Sequence, residues 1–130
     1  MTSVLLIALG GALGSVARYG VSGWVQNAMG VIFPWGTMTV NVTGSLLLGV
    51  VIRVLADVTA PPHWRAFLAI GFLGAYTTFS TLTFEAAQLL RDREWGAAMG
   101  YVAGSVAVGL AAVFVGMGAA EWYLRGRGLP

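Results

Sequence analysis

The chain contains four long stretches of mainly apolar residues, separated by short polar or proline-containing segments. Each stretch has the roughly 20 residues that an α-helix needs to cross the hydrocarbon core of a bilayer. The pattern predicts spans over about 3–28, 34–56, 66–90 and 96–123. Because the spans fill the chain, we expect a single four-span transmembrane domain over residues 1–130, with both termini on one side of the membrane.

The composition agrees with a membrane protein. Hydrophobic residues make up 58% of the chain and charged residues only 9%. An ordinary soluble domain has about 25% charged residues, so these few charges are not enough for a water-exposed surface. We therefore predict an all-α membrane protein that crosses the cell inner (plasma) membrane several times.

The residue types that are missing from the sequence exclude several kinds of chemistry. There is no cysteine, His63 is the single histidine, and all seven basic residues are arginine. Disulfides, thiol catalysis and Cys/His metal sites are therefore excluded, as are a lysine-dependent phosphate loop and a Schiff-base enzyme. No basic run is dense enough for nucleic acid. We expect neither an enzyme nor a nucleic-acid-binding protein.

The arginines favour neither membrane orientation strongly. The face with the termini carries Arg53, Arg65, Arg125 and Arg127. The opposite face carries Arg91 and Arg93, with Arg18 nearby. Since the imbalance of basic residues normally sets the orientation, this weak bias allows insertion in both directions and pairing as an antiparallel dimer. In the alternative, the modest charge bias is sufficient for one orientation to predominate.

Ion permeation through such a chain needs more than one subunit, because four packed helices fill their own centre with side chains. Glycines spaced four residues apart allow helices to approach closely. Two such rows occur, Gly10 and Gly14 in span one and Gly96, Gly100 and Gly104 in span four. We expect these rows to favour association, although such rows are common in any membrane bundle.

Polar residues recur every four positions in two of the apolar spans. Thr37, Asn41 and Ser45 share one face of span two, and Tyr101 and Ser105 share one face of span four. An amide is unfavourable in hydrocarbon, so Asn41 is expected to face a polar path or a partner helix. A simple interhelical hydrogen bond is the alternative.

The centre of span three is rich in glycine and hydroxyl residues. Gly71 and Gly74 are followed by five hydroxyl side chains between Thr77 and Thr83. Because glycine and β-branched residues are weak helix formers, this pattern predicts a break in the third helix at mid-membrane. Such a break exposes carbonyl groups to a cation and N–H groups to an anion. In the alternative, the hydroxyls bond to the carbonyls of an intact helix.

Two charged residues fall inside the spans. Arg18 lies near the far end of span one, where it can anchor the helix or attract anions to a vestibule. Glu85 in span three needs a partner or water. The other polar groups of the spans are neutral hydroxyls and an amide, so a path lined by them suits a small anion that accepts hydrogen bonds.

The sequence resembles the Fluc (CrcB) fluoride channels over essentially its whole length. The resemblance rests on five segments, which are Gly10-Gly11-Ala12-Leu13-Gly14 with Arg18-Tyr19, Trp35-Gly36-Thr37, Asn41-Val42-Thr43-Gly44, Gly71-Phe72-Leu73-Gly74 and Thr77-Thr78-Phe79-Ser80-Thr81. It implies an antiparallel dual-topology homodimer in the cytoplasmic membrane. Two pores at the dimer interface are expected to export fluoride passively, with one structural sodium ion at the centre.

The resemblance also implies roles for particular residues. The pore positions of the family correspond to Asn41, Phe79, Ser80, Thr81, Tyr101 and Ser105. Its sodium ion is held by main-chain carbonyls, which correspond here to Gly74 and Thr77.

The chain departs from the family pattern at three positions. Leu82 stands where the family usually has a second phenylalanine, Ala75 replaces a glycine, and Gly109 replaces a later serine. The edge of an aromatic ring is electropositive and can face an anion, whereas leucine cannot do this. Either one aromatic side chain per pore is sufficient, or Phe84 compensates.

Two other functions remain open at this stage. A small dual-topology, proton-coupled multidrug exporter has a similar length and four spans, but it would have to use Glu85 as its membrane carboxylate. A non-conducting membrane scaffold would show no ion flux and would tolerate apolar replacements at Asn41 and Thr81.

Overall fold

The computed structural model is helical throughout and describes residues 1–30, 32–57 and 60–128. Residues 31, 58, 59, 129 and 130 of the predicted domain lie outside this description. Four stretches are long and apolar enough to cross a membrane, namely Thr2–Met29, Trp35–Ala56, Pro62–Arg91 and Trp95–Gly126. The prediction of an all-α protein with four membrane-capable helices is confirmed.

Spans one, two and four are single α-helices, which are α1 (Thr2–Met29), α2 (Trp35–Asp57) and α6 (Trp95–Gly126). The third span is composite and consists of α3 (Pro62–Trp64), a π-helix (Arg65–Leu73), α4 (Gly74–Tyr76) and α5 (Phe79–Arg91). It begins earlier than the expected start near residue 66, because Pro62 occupies the first helical position, where proline costs no hydrogen bond.

Two residues between α4 and α5 have extended backbone geometry. Thr77 has φ −87° and ψ 160°, and Thr78 has φ −151° and ψ 120°. The Thr78 side chain accepts a hydrogen bond from the N–H of Thr81, at 3.2 Å. Thr78 is thus the N-cap of α5, and its hydroxyl satisfies one of the free N–H groups at the helix start.

The most extensive helix contacts are those of α1 with the π-helix and of α2 with α6. A Cβ atom at Gly10 or Gly14 would collide with the carbonyl groups of Phe67 or Phe72 on the third span. These two glycines therefore allow close backbone packing inside one chain. From the sequence we expect these glycines to favour association between subunits, but their spacing is the same for packing between subunits and for packing within one subunit.

The outer surface of the bundle carries many large apolar side chains. Tyr101 and Val40 are the largest fully buried side chains, whereas every membrane-capable stretch exposes large apolar side chains. Large apolar side chains over the whole outer surface are unusual for a soluble protein, but they are favourable in a bilayer because lipid tails are as apolar as the side chains that face them. The fold is thus that of a multi-pass membrane protein.

One buried cluster joins α5 to α6 near the end of the bundle that carries the α1–α2 connection. Its members are Leu82, Ala86, Leu89, Ala98 and Tyr101. The Phe33 side chain of the connection packs against the cluster. The cluster fixes the position of Tyr101, which contributes to the site described next.

Candidate functional site

Asn41 holds the irregular point of the third span. Its Nδ2 donates to the carbonyl of Thr78 at 2.9 Å, and its Oδ1 accepts from the N–H of the same residue at 2.7 Å. One amide therefore satisfies both backbone groups of a residue that is outside regular helix. Since Nδ2 carries two N–H groups, a second donor remains on Asn41.

Because of the same geometry, two backbone carbonyls lack the N–H donors that they would have in a continuous helix. In a continuous α-helix, each N–H donates to the carbonyl four residues earlier. The N–H of Thr78 donates to Asn41 instead of Gly74, and that of Thr81 donates to the Thr78 hydroxyl instead of the Thr77 carbonyl. The carbonyls of Gly74 and Thr77 therefore lose their helical donors.

Hydroxyl groups cluster at the start of α5. The Thr78 hydroxyl donates to the Thr81 hydroxyl at 3.0 Å, and it lies 3.3 Å from that of Ser80. Because the Thr81 oxygen accepts in this contact, Thr81 keeps its own hydrogen for another acceptor. Ser80 and Thr81 are exposed, and so is Phe79, with 79% of its surface accessible.

A groove of about 260 Å³ on the surface of the chain brings Asn41, Thr78 and Phe79 together. We call it the Asn41 groove, and its lining consists of Asn41, Gly44, Ser45, Leu48, Ala69, Leu73, Gly74, Thr77, Thr78, Phe79 and Leu82. Leu82 is otherwise buried in the cluster around Tyr101. Phe84 is exposed on α5 but does not belong to this lining among the described residues.

Glu85 has two hydroxyl partners inside the bundle. It accepts a hydrogen bond from Thr37 of α2 at 2.9 Å and from Tyr101 of α6 at 2.6 Å. These bonds connect three helices and supply the partner that an embedded carboxylate requires. The sequence showed all three residues but not their connection. Its only signal was that Thr37 and Tyr101 belong to polar rows on the spans before and after Glu85.

The predicted donors of span four differ in their availability. Tyr101 is fully buried and gives its hydroxyl hydrogen to Glu85. Ser105, one turn further along α6, is also buried, yet its Oγ has no hydrogen-bond partner among the residues that the structure describes. A buried polar group without a partner is uncommon and unfavourable, so of these two hydroxyls only that of Ser105 still lacks an acceptor among the described residues.

A second opening lies beside Glu85. This cavity of about 350 Å³, which we call the Glu85 cavity, is lined by Gln26, Ile32, Pro34, Glu85, Gln88, Leu89 and Asp92. Arg18 is half-buried on α1, and no hydrogen bond or ion pair of its side chain occurs within 1–30, 32–57 and 60–128. Glu85 therefore has defined partners within the chain, whereas the anchoring or vestibule role of Arg18 stays a prediction.

Comparison with known proteins identifies the family. The model of the family described as "CrcB-like protein, Camphor Resistance (CrcB)" matches residues 5–117. A protein of Thermus thermophilus is 47% identical over 112 residues, which cover 86% of this chain and 88% of that protein. One from Acidobacterium capsulatum is 45% identical over 87% of this chain and 91% of its own length, and one from Rhizobium meliloti is 43% identical over 90% and 94%.

All three relatives carry the name "Fluoride-specific ion channel FluC". Ion conduction is not an enzymatic activity, in agreement with the prediction that the chain is not an enzyme. The family match covers most of the chain and reaches all four membrane-capable helices, ending within the fourth. The chain belongs to the CrcB family.

Proposed function

We propose that this chain forms a fluoride-selective channel, through which fluoride leaves the cell passively across the plasma membrane. In this proposal two copies pair in antiparallel orientation, two pores follow their interface, and one sodium ion lies at the centre. Support comes from the family, whose relatives are named as fluoride-specific ion channels, and from the polar surface around Asn41.

The observation that carries the proposal is the exposure of the Asn41 groove and the start of α5. A second N–H of Asn41, the hydroxyls of Ser80 and Thr81 and the ring of Phe79 lie there beside irregular backbone. Irregular backbone and polar groups are not tolerated against lipid, and they survive where protein or water covers them. This surface therefore needs a cover that also leaves room for a polar path.

A second copy of the chain is the cover that the structure favours. Apart from the neighbouring backbone of α6 itself, no atom of the described chain lies within 4 Å of a Cβ atom placed at Gly96 or Gly100, whereas one placed at Gly104 meets the Met38 side chain at 3.5 Å. Small residues allow another backbone to approach closely in a membrane, so Gly96 and Gly100 remain available to a partner. Gly10 and Gly14, in contrast, are already used inside the chain.

The antiparallel arrangement rests on the weak charge bias of the sequence. The two faces of the membrane domain carry four and two arginines, with Arg18 nearer the second. Such a small imbalance does not enforce one orientation. Two oppositely inserted copies would present the same surface to one another around a twofold axis, as closed dimers do, and would create two equivalent pores.

Selectivity follows from the donors that line the path. Fluoride is small and strongly hydrated, so a narrow pore must replace its water with hydrogen-bond donors. The remaining N–H of Asn41 and the hydroxyls of Thr81, Ser80 and Ser105 supply neutral donors, and the edge of the Phe79 ring adds positive potential. Chloride is larger and a weaker acceptor, so it is disfavoured by both size and hydrogen bonding.

The backbone around Gly74 and Thr77 fits the proposed sodium site. Both carbonyls have lost their helical donors and belong to residues of the Asn41 groove. Hard cations prefer oxygen ligands, and two carbonyls from each of two copies would give four. When bound, the ion would balance the partial negative charge of these carbonyls and hold the two copies together.

Fluoride and chloride efflux from liposomes that contain the purified protein tests the proposal, with sodium present and absent. We expect fast fluoride efflux, far slower chloride efflux, and loss of the dimer and of fluoride efflux without sodium. Equal efflux of the two anions would refute selectivity. Proton-coupled uptake of an aromatic cation that Glu85→Gln abolishes would instead establish an exporter, and a scaffold would give no flux at all.

The role of Phe79 has a matched test on the same helix. Phe79→Ile is expected to reduce fluoride efflux at least about tenfold, the effect of losing roughly 1.4 kcal/mol of stabilisation, while the dimer stays intact. Phe84 is similarly exposed but lies outside the Asn41 groove. Phe84→Ile should therefore leave the efflux within about twofold. A large loss with Phe84→Ile alone would move the pore aromatic to Phe84.

A further inference from the structure

Gln26, which the proposed pathway does not use, holds the connection between α1 and α2. Its Nε2 donates to the carbonyl of Gly30 and, at 3.0 Å, to that of Phe33. Its Oε1 accepts the N–H of Gly36 at 3.0 Å. The bond to Gly30 closes the end of α1, but the other two extend beyond that helix to the connection and the first turn of α2.

The connection packs directly on the hydrogen-bonded pair at Glu85. The Phe33 ring meets the Tyr101 ring edge-on, with centroids 5.5 Å apart and planes at 81°, and its centroid lies 4.5 Å from that of Trp35. Tyr101 in turn donates its hydroxyl hydrogen to Glu85. Gln26 and Glu85 also line the same cavity. A short chain of contacts thus leads from the Gln26 amide to the Glu85 carboxylate.

The position of that carboxylate matters for an anion. Like charges repel, and the repulsion is stronger in a site of low dielectric than in water. While Glu85 is bonded to Thr37 and Tyr101, its charge is shared with two hydroxyls inside the bundle. If Tyr101 moved away, the carboxylate would lose this hydrogen bond and present more of its charge to the Glu85 cavity, which it already lines, and so oppose the entry of fluoride.

We propose that the Glu85 cavity is an entrance to the anion path and that Gln26 is a positioning residue for it. By holding the carbonyl of Phe33, it keeps the Phe33 ring against Tyr101 and so keeps the charge of Glu85 shared with the hydroxyls of Tyr101 and Thr37 as the anion enters. The inference rests on the proposed function for its effect on flux, but not for its effect on Tyr101.

The effect on Tyr101 can be measured without any transport assay. The chain has four tyrosines, so protein labelled with 3-fluorotyrosine gives four ¹⁹F resonances, and Tyr101→Phe identifies the one from Tyr101. Gln26→Leu is expected to shift this resonance and to leave the other three in place. The control is Asn27→Leu, at the exposed neighbouring position, and it should shift none. An unmoved Tyr101 resonance in Gln26→Leu would overturn the proposal.

The effect on transport is measured as fluoride efflux at low and high internal fluoride. Gln26→Leu should slow efflux about fivefold at low fluoride, the effect of losing the hydrogen bond from Tyr101 to Glu85 at average strength. The loss should be smaller at high fluoride, because the anion's entry is impaired. In a Tyr101→Phe background, the same change should cost less than about twofold, since coupled residues are not additive. A full fivefold loss in that background would overturn the role through Tyr101.

A second variant covers the case in which Gln26→Leu does not fold. Gln26→Glu keeps an acceptor for the N–H of Gly36 but cannot donate to the carbonyl of Phe33, and it should shift the same Tyr101 resonance. If the unaltered protein showed no fluoride efflux, the proposed function would fail, and the resonance shift would still decide whether Gln26 positions Tyr101.

Discussion

Replacing Asn41 with leucine tests whether its amide stabilises the irregular point of the third span. The two side chains are similar in size, but leucine can neither donate to the carbonyl of Thr78 nor accept from its N–H. Thr78 is only 8% exposed, so water cannot readily replace both bonds. A buried backbone group without a partner costs about 1–3 kcal/mol. Two such groups should lower the unfolding free energy by about 2–6 kcal/mol.

The assay is reversible unfolding of the purified protein in mixed micelles of increasing denaturing detergent, followed by tryptophan fluorescence. Ser45→Ala is the matched control, because Ser45 lies one turn along the same face of α2 and no hydrogen bond of its side chain occurs among the described residues. It should change the unfolding free energy by less than about 0.5 kcal/mol. If Asn41→Leu unfolded like this control, the amide would not stabilise the backbone at Thr78.

The same reasoning gives three further predictions. Gly14→Ala should lower the unfolding free energy by about 1–3 kcal/mol, because its Cβ would meet backbone of the third span. Gly20→Ala, on the same helix, has open space around its Cβ and should not destabilise the protein. Equal losses in the two variants would contradict the packing of α1 against the third span. Glu85→Gln should cost about 1–2 kcal/mol in the same titration, because Thr37 and Tyr101 donate to different carboxylate oxygens and glutamine replaces one of these with an NH2 group that cannot accept. An unchanged midpoint would argue against these two hydrogen bonds. Since the chain lacks cysteine, the variants Asn27→Cys and Arg127→Cys each place a single thiol, and the two thiols lie near opposite faces of the membrane. If both orientations insert, an impermeant maleimide should label about half of the molecules of each variant in intact cells. Complete labelling of one and none of the other would refute dual topology.

The sequence determined the parts of this protein that depend on local composition. An apolar run of sufficient length must become a membrane-spanning helix, because only a helix satisfies its own backbone in hydrocarbon. This is why the four stretches could be placed from hydropathy alone. Likewise, an amide or a carboxylate in such a run must find a polar partner, so Asn41 and Glu85 could be selected as candidates before any contact was known.

Only the tertiary structure decided which groups meet. A helical repeat shows which residues share a face, but it does not show how that face is rotated against its neighbours. The sequence therefore could not connect Asn41 to the backbone of Thr78, join Glu85 to Thr37 and Tyr101, or leave Ser105 without a partner.

The glycine rows show the same limit. Gly10, Gly14, Gly96 and Gly100 share a spacing that permits close approach, yet the first two pack inside the chain and the last two remain open. Spacing is a property of one helix, whereas the choice of partner depends on the path of the whole chain in three dimensions. The assignment of these surfaces therefore came from the packing of α1 against the third span and of α2 against α6.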